Sequence, residues 1–266
     1  MMKLGFIGAG NMGGAILKGV LKNKLYESEN IFVANRRKES SEKLHDIYGV
    51  NICENNIELV KKCDIIIIGV KPIIIANVLA EIRNYIEDKI IISIAAAITV
   101  KDIEDIVGKK KIVRVMPNTP AAVGNGVSGV VYGEKLDNND KKLVFDIFNA
   151  VGSVEEISEQ NIEALTALSG SGPAYVYMFI EALADGAVLN GLSREQAYRL
   201  AVNTVIGGAK MVAETKKHPG QLKDEVCSPA GSTIAAVRKL EEKNFRSAVI
   251  ECEKACFDKL KEMAKK

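Results

Sequence analysis

The 266-residue sequence predicts an α/β fold, with a doubly wound, largely parallel sheet in its first part and an all-helical second part. Three observations carry this. Short β-branched runs alternate with helical patterns up to about Glu155. A G-x-G-x-x-G spacing stands directly behind the first run. From about Glu156 the texture changes to long Ala-, Leu- and Met-rich segments at helical spacing, with few β-branched clusters.

In chain order, KLGFI (3–7) reads as a strand and Met12–Leu21 as the helix behind it. IFVAN (31–35) is the next strand, followed by a polar segment rich in Lys and Glu. DIIIIGV (64–70) is a continuous β-branched run, which a strand covered on both faces requires, and Pro72 behind it can open a helix. KIIISIA (89–95) and KKIVRVM (110–116) repeat the strand signature. VSGVVYG (127–133) and VGSVEEI (151–157) are later strands flanking a helix at Asn139–Asn149. A barrel of many such repeats would begin in the same way. Helices follow at 162–170, 173–191 and 194–217, with Gly191 as a stop and Ser193 as the next cap. His218-Pro219-Gly220 breaks the chain, and one amphipathic helix is expected from about Thr233 to Lys266. The domains are therefore 1–158 and 159–266. The helices of the second are too apolar for one small core, so a subunit interface is expected there.

Composition removes several classes of function. With 47% hydrophobic and 26% charged residues the chain is globular, and its net charge of +2 gives no basic signal for a nucleic-acid partner, so none is expected. His45 and His218 are its two histidines, so neither a His-rich metal site nor a His-based triad is expected. The five cysteines form no C-x-x-C pair, which points to buried thiols in a reducing compartment, the cytoplasm. One early lysine and an apolar run broken by glycines predict no signal peptide, and no apolar stretch reaches membrane-spanning length.

Gly8, Gly10 and Gly13 follow a strand and open a helix, the context in which this spacing binds a dinucleotide in a Rossmann-type domain. Gly8 allows the tight turn, Gly10 leaves room for a pyrophosphate, and Gly13 lets the helix approach the sheet. At the end of the second strand, an NAD site offers Asp or Glu to the ribose; this chain has Asn35-Arg36-Arg37-Lys38. A guanidinium can clamp a 2′-phosphate, so NADP(H) is preferred, against the alternative that these charges only face solvent. Val70-Lys71-Pro72, Ala95-Ala96-Ala97 and Met116-Pro117-Asn118-Thr119-Pro120 stand where ribose and nicotinamide should lie. Lys71 is open to both a solvent role and a ribose or phosphate contact.

The second signal is Cys227-Ser228-Pro229-Ala230-Gly231-Ser232-Thr233 before a helical run. It reads as an anion site, and ordinary capping by Ser232 or Thr233 explains it equally well. Ser169–Tyr175 is a small-residue break, either a tight helix–helix turn or a pocket wall. No triad, metal cluster or acid–base pair stands out. Hydride transfer to an activated C=N bond needs positioning more than a strong protein acid.

The chain resembles the pyrroline-5-carboxylate reductases, through FIGAGNMGGAI (6–16), VKP (70–72), MPNTP (116–120), LSGSGPAYVY (168–177) and above all HPGQLKDEVCSPAGSTIAAVRKLE (218–241) with FRSAV (245–249). The resemblance implies NAD(P)H-dependent reduction of 1-pyrroline-5-carboxylate to L-proline, the last step of proline biosynthesis. It implies a C-terminal dimerisation domain of intertwined helices, with decamers in some members, and a preference for NADP(H) that admits NAD(H). Carried over by position, Gly8, Gly10, Asn11 and Met12 belong to the pyrophosphate loop, Asn35 and Arg36 lie near the 2′-phosphate, and Asn56 contacts the adenosine. Val70, Lys71, Ala95, Ala97, Met116 and Asn118 line the ribose and nicotinamide side. Gly231, Ser232, Thr233 and Ser171 are implied on the substrate side, with Ser232 and Thr233 positioning the carboxylate and no certain catalytic acid. Many members have two glycines before the Ser-Thr pair, where this chain has Ala230. A β-hydroxyacid dehydrogenase would need a lysine on the helix between Pro173 and Gly186, and none is there. A non-enzymatic NADP sensor would not need the second anion site.

Overall fold

The structure, a computed structural model, describes residues 2–264. The chain divides into two compact units, one running through Gly170 and joined by the chain end from Met263, the other spanning Ser171–Glu262.

The first unit is built on an open sheet in the order β3-β2-β1-β4-β5-β6-β7-β8, which excludes the barrel. Its elements are β1 (Leu4–Ile7), α1 (Asn11–Lys22), β2 (Ile31–Ala34), α2 (Lys38–Tyr48), β3 (Asn51–Ile52), α3 (Asn56–Lys62), β4 (Ile65–Ile68), α4 (Pro72–Ile82), β5 (Ile90–Ser93), α5 (Val100–Val107), β6 (Lys111–Pro117), β7 (Gly126–Tyr132), α6 (Asn138–Asn149), β8 (Gly152–Glu156) and the short α7 (Ile162–Leu165). The all-isoleucine β4 shows why the sheet needs continuous apolar runs. Ile65 and Ile67 pack with Ile16, Leu17 and Phe148 on one face, while Ile66 and Ile68 pack with Leu59, Ile75 and Leu79 on the other. All four are fully buried. Burial of about 1.5–3 kcal/mol per such side chain makes this the main favourable term of the domain.

Pairing is parallel except between β6 and β7, which run antiparallel with Met116 opposite Gly129. The link between them is too short for a crossover helix, so the chain can only turn back beside β6. Strand runs read from sequence do not report direction.

The expected domain boundary at 158/159 lies before the division of the compact units, because residues 159–170 pack with the first. Glu159 forms an ion pair with Arg114, whose side chain is only 4% exposed, and its other carboxylate oxygen accepts from the Val100 N–H at 3.2 Å. Ile162, Thr166 and Ala167 are buried. Residues Thr166–Gly170 form a wide, π-type turn in which the hydroxyls of Thr166 and Ser169 donate to the carbonyls of Ile162 and Leu165.

The second unit consists of α8 (Gly172–Leu189), α9 (Arg194–Thr215), α10 (Pro219–Val226), α11 (Ser232–Glu242) and α12 (Phe245–Ala264). Ser193 caps α9 in a reciprocal box with Gln196, and Gly191 ends the preceding turn at φ +100°. His218-Pro219-Gly220 breaks the chain after α9, as expected, and also opens a short helix: the His218 ring nitrogen Nδ1 accepts from the Gly220 N–H at 3.1 Å, and Pro219 takes the first helical position. One expectation is corrected. The single C-terminal helix is two, broken where Asn244 adopts φ +56°, a conformation asparagine tolerates. Residues 265 and 266 of that expected helix lie outside the described residues. The buried core of this unit is small: Ala184, Ala197 and Ala201, flanked by Ile180, Ala187 and Val188. Met178 is 69% and Leu189 88% exposed, and Tyr177, Leu200, Ile206 and Ile250 are also exposed. One chain does not cover these apolar faces, as the sequence led us to expect.

Candidate active site

The sheet order reverses between β1 and β4, and ligands of open α/β sheets bind beyond the strand ends at such a switch. Gly8 turns the chain there at φ +85°, and a Cβ on it would stand 2.8 Å from the Val70 side chain and 3.0 Å from the Gly69 carbonyl oxygen. Val70, behind β4, thus stands against the glycine loop behind β1. A Cβ at Gly13 would sit 3.1 Å from the Gly8 carbonyl oxygen, which is the close helix approach expected of it. A Cβ at Gly10 would meet nothing within 4 Å, so the space over the helix start is open.

Helix capping divides the first unit in an informative way. The starts of α3, α5 and α6 are capped by the side chains of Asn55, Thr99 and Asp137. The starts of α1, α2 and α4, behind β1, β2 and β4, have Gly10, Arg37 and Lys71 at the cap position and no capping side chain. The first N–H groups of α1 and α2, and that of Ile73 behind the donorless Pro72 in α4, take no capping bond and have the positive end of each helix dipole behind them. Besides the short α7, whose cap residue Asn161 makes no side-chain bond, the uncapped starts of this unit are the three that surround the switch point. Such a site fits the diphosphate of a dinucleotide.

The remaining predicted residues distribute as follows. Asn11 is exposed and Met12 half-buried in the first turn of α1. Asn35 donates from Nδ2 to the Ser41 hydroxyl at 3.1 Å, which holds its amide against the start of α2. Arg36 and Arg37 are exposed and have no ion-pair partner among the described residues. Asn56 is half-buried, and its amide donates to Glu81 at 2.8 Å. Lys71 is exposed at the start of α4. Ala95 is buried at the end of β5, and Ala97 is held at φ +59°. Met116 is half-buried. Asn118 is only 6% exposed, and both ends of its amide bond to backbone groups of the first unit.

In the second unit, α11 removes the capping alternative for Ser232 and Thr233. The cap position is Gly231, without any capping side chain, and the two hydroxyl residues occupy the first two helical positions. The loop before it is tight: the Gly231 N–H donates to the Ser228 carbonyl at 3.0 Å, and a Cβ at Gly231 would lie 2.3 Å from the Ser228 hydroxyl oxygen. Ser228 thus stands against Gly231 in this loop; the sequence reading included it in the 227–233 motif without giving it a role. Ala230 sits at φ +54°, the left-handed region that a glycine would occupy without strain. Ser171 is the uncapped start of α8, and its hydroxyl accepts from the Cys256 thiol at 3.2 Å. Burial, followed by hydrogen bonding with Cys256, pushes the nearby Tyr175 phenol up to about 12. No group of three or more His, Cys, Asp or Glu is placed to hold a metal among the described residues. None of their helices is long and apolar enough to cross a membrane.

A glycine loop at the switch point, with uncapped helix starts and exposed arginines beside it, fits the class of nicotinamide-dinucleotide oxidoreductases. Sequence comparison agrees. Residues 159–263 match the profile described as pyrroline-5-carboxylate reductase dimerisation, and residues 3–97 that described as NADP oxidoreductase coenzyme F420-dependent. The pyrroline-5-carboxylate reductase of Escherichia coli (strain K12) is 46% identical over 265 residues, covering 99% of this chain and 98% of that protein. The Plasmodium falciparum pyrroline carboxylate reductase, solved with NADP bound, superposes with a TM-score of 0.87 at 39% identity, covering 99% and 98% of the two chains. The pyrroline-5-carboxylate reductase structure from Coxiella burnetii gives 0.94 at 37% identity, with 98% of each chain covered. The chain belongs to the pyrroline-5-carboxylate reductase family.

Proposed function

We propose that this chain reduces 1-pyrroline-5-carboxylate to L-proline with NADPH, and with NADH as the poorer donor, in the last step of proline biosynthesis. When bound, the reduced nicotinamide would supply the hydride that the imine carbon takes up, while the imine nitrogen takes a proton. The chain's own residues bind and orient. The free N–H groups at Asn11 and Met12 hold the diphosphate, Arg36 meets the 2′-phosphate, and Asn35 and Asn56 border the adenosine. Val70, Lys71, Ala95, Ala97 and Met116 line the ribose and nicotinamide side.

The substrate carboxylate docks at the start of α11, where backbone N–H groups and the hydroxyls of Ser232 and Thr233 converge. Gly231 keeps that loop tight, Ser228 adds a third hydroxyl beside it, and Ser171 stands on the substrate side. Alignment carries the rate here, since a reactant held in a near-attack geometry gains several kcal/mol, on the order of 7–11 in the best cases.

The observation that carries this reading is the uncapped start of α11 with its two hydroxyl residues, in a chain whose other unit has three uncapped starts around the switch point. Purified protein should oxidise NADPH in step with proline formation when given pyrroline-5-carboxylate. No turnover with either nicotinamide cofactor would refute the assignment.

The exposed apolar faces of α8, α9 and α12 support a homodimer formed through the second unit, the arrangement from which a decamer could be built. The chain works in the cytoplasm on a small imino acid, without nucleic acid or membrane. Sedimentation of the purified protein decides the assembly: a single-chain mass at micromolar concentration contradicts the dimer, and a ten-chain mass identifies the decamer.

A further inference from the structure

Asn118 follows β6 directly and is 6% exposed. Its Nδ2 donates to the Ser169 carbonyl at 2.9 Å, and its Oδ1 accepts from the Val127 N–H, at the start of β7, at 2.8 Å. One buried amide therefore joins the end of β6, the start of β7 and the wide turn 166–170. That turn is the last part of the first unit. At its end a Cβ on Gly170 would lie 3.1 Å from the Thr166 methyl and 3.8 Å from the Met116 side chain, so the turn rests on the end of β6. The next residue, Ser171, begins the second unit.

A π-type turn is rarer than an α-turn and persists only where its surroundings hold it. The hydroxyls of Thr166 and Ser169 bond only backward, into residues 162 and 165. Among the described residues, the Asn118 amide is the side-chain hydrogen bond that fastens the turn to the sheet. Without it, the Ser169 carbonyl and the Val127 N–H, both half-buried, would lose this partner.

We propose that Asn118 is a positioning residue for the reduction: it locks the exit turn of the first unit, and this lock, in place of a contact with the nicotinamide, is its part in catalysis. The proposal rests on the reaction assigned above. Every substrate-side residue of that assignment, Ser171 and 228–233, lies beyond the locked turn in the chain. Misplacement of about 1 Å far from the chemistry can lower a rate a hundred-fold.

Two variants test it. In Asn118→Ala, NADPH affinity by fluorescence titration should stay within about two-fold, kcat should fall about ten-fold or more, and hydrogen exchange at the amides of 167–171 should accelerate. In Asn118→Asp, the neutral carboxyl can donate to Ser169 and accept from Val127 as the amide does, whereas the carboxylate repels the Ser169 carbonyl. Burial raises the pKa of such a group, so kcat of this variant relative to the unaltered enzyme should climb as pH is lowered. The aspartate variant keeps the test open should the alanine variant fail to fold. A loss of NADPH affinity matching the loss in kcat/KM, with exchange at 167–171 unchanged, would overturn the proposal in favour of direct cofactor contact. Faster exchange with unchanged kcat would reduce the lock to a structural one and overturn it too. If the unaltered protein does not reduce pyrroline-5-carboxylate, the reaction assignment fails first, and that result is distinct from any outcome at Asn118.

Discussion

Thr233→Ala separates docking from folding because the structure assigns the cap of α11 to Gly231. Thr233 occupies the second helical position and caps nothing, so its hydroxyl can be removed without freeing a helix N–H. Alanine is the better helix former by up to about 0.7 kcal/mol, which offsets the loss of one half-buried methyl. Stability should therefore change by less than about 0.5 kcal/mol, the range of surface substitutions. A hydrogen bond to a charged group contributes about 1.5–3 kcal/mol, and each 1.36 kcal/mol is a factor of ten in rate. The expected loss in kcat/KM for pyrroline-5-carboxylate is thus about ten- to a hundred-fold or slightly more. In the proposed site two backbone N–H groups remain for the carboxylate, so activity should fall without vanishing. The assay pairs steady-state kinetics with a thermal melt and an NADPH titration on the same sample. A melting temperature lowered by several degrees with near-normal kinetics would show that the hydroxyl serves the fold. A change in kcat/KM below about three-fold with normal folding would remove Thr233 from the carboxylate site.

Replacing Arg36 with serine should raise KM for NADPH about ten-fold and leave that for NADH nearly unchanged, because the lost charge-assisted bond exists only with a 2′-phosphate; equal effects on both cofactors would mean that Arg36 only faces solvent. Ala230→Gly should stabilise the protein by up to about 1 kcal/mol, since the left-handed conformation at φ +54° costs an L-residue about 1–2 kcal/mol and the added chain entropy of glycine returns roughly half of that. A urea midpoint that rises at constant slope reports this. Burial pushes the Cys63 thiol from its ordinary 9.0 up to about 12. The unfolded chain therefore loses this proton first, so the thiol's contribution to stability is complete below about pH 9 and is lost as pH rises toward 12. Cys63→Ala should flatten the alkaline fall of the melting temperature over that window, and a fall as steep as in the unaltered protein would exclude the thiol as its cause.

Local sequence pattern determined much of this protein. A strand buried on both faces must be apolar at every position, and Ile65–Ile68 announce that without any knowledge of their neighbours. Gly8 marks a turn that only a residue free of Cβ makes easily, and the long apolar helices after Gly172 declare that one chain cannot cover them. The features on which the proposed site rests, the glycine loop, the Asn35–Lys38 stretch and the 227–233 motif, were legible for the same reason, as short contiguous stretches whose chemistry depends on adjacent residues. What the tertiary structure alone decided involves partners far apart in the chain. Glu159 joins the first unit because Arg114, on β6, is buried and needs a counter-charge. β7 runs antiparallel because of where the chain turns, which hydrophobic periodicity does not encode. Asn118 read as a cofactor contact because the sequence places it past a strand end; the partners that occupy its amide, Val127 and Ser169, are brought to it only by folding. Even the reading of Ser232 and Thr233 needed the backbone. A hydroxyl at a helix start caps or is free according to a shift of one residue, and only the dihedral angles at Gly231 fix which.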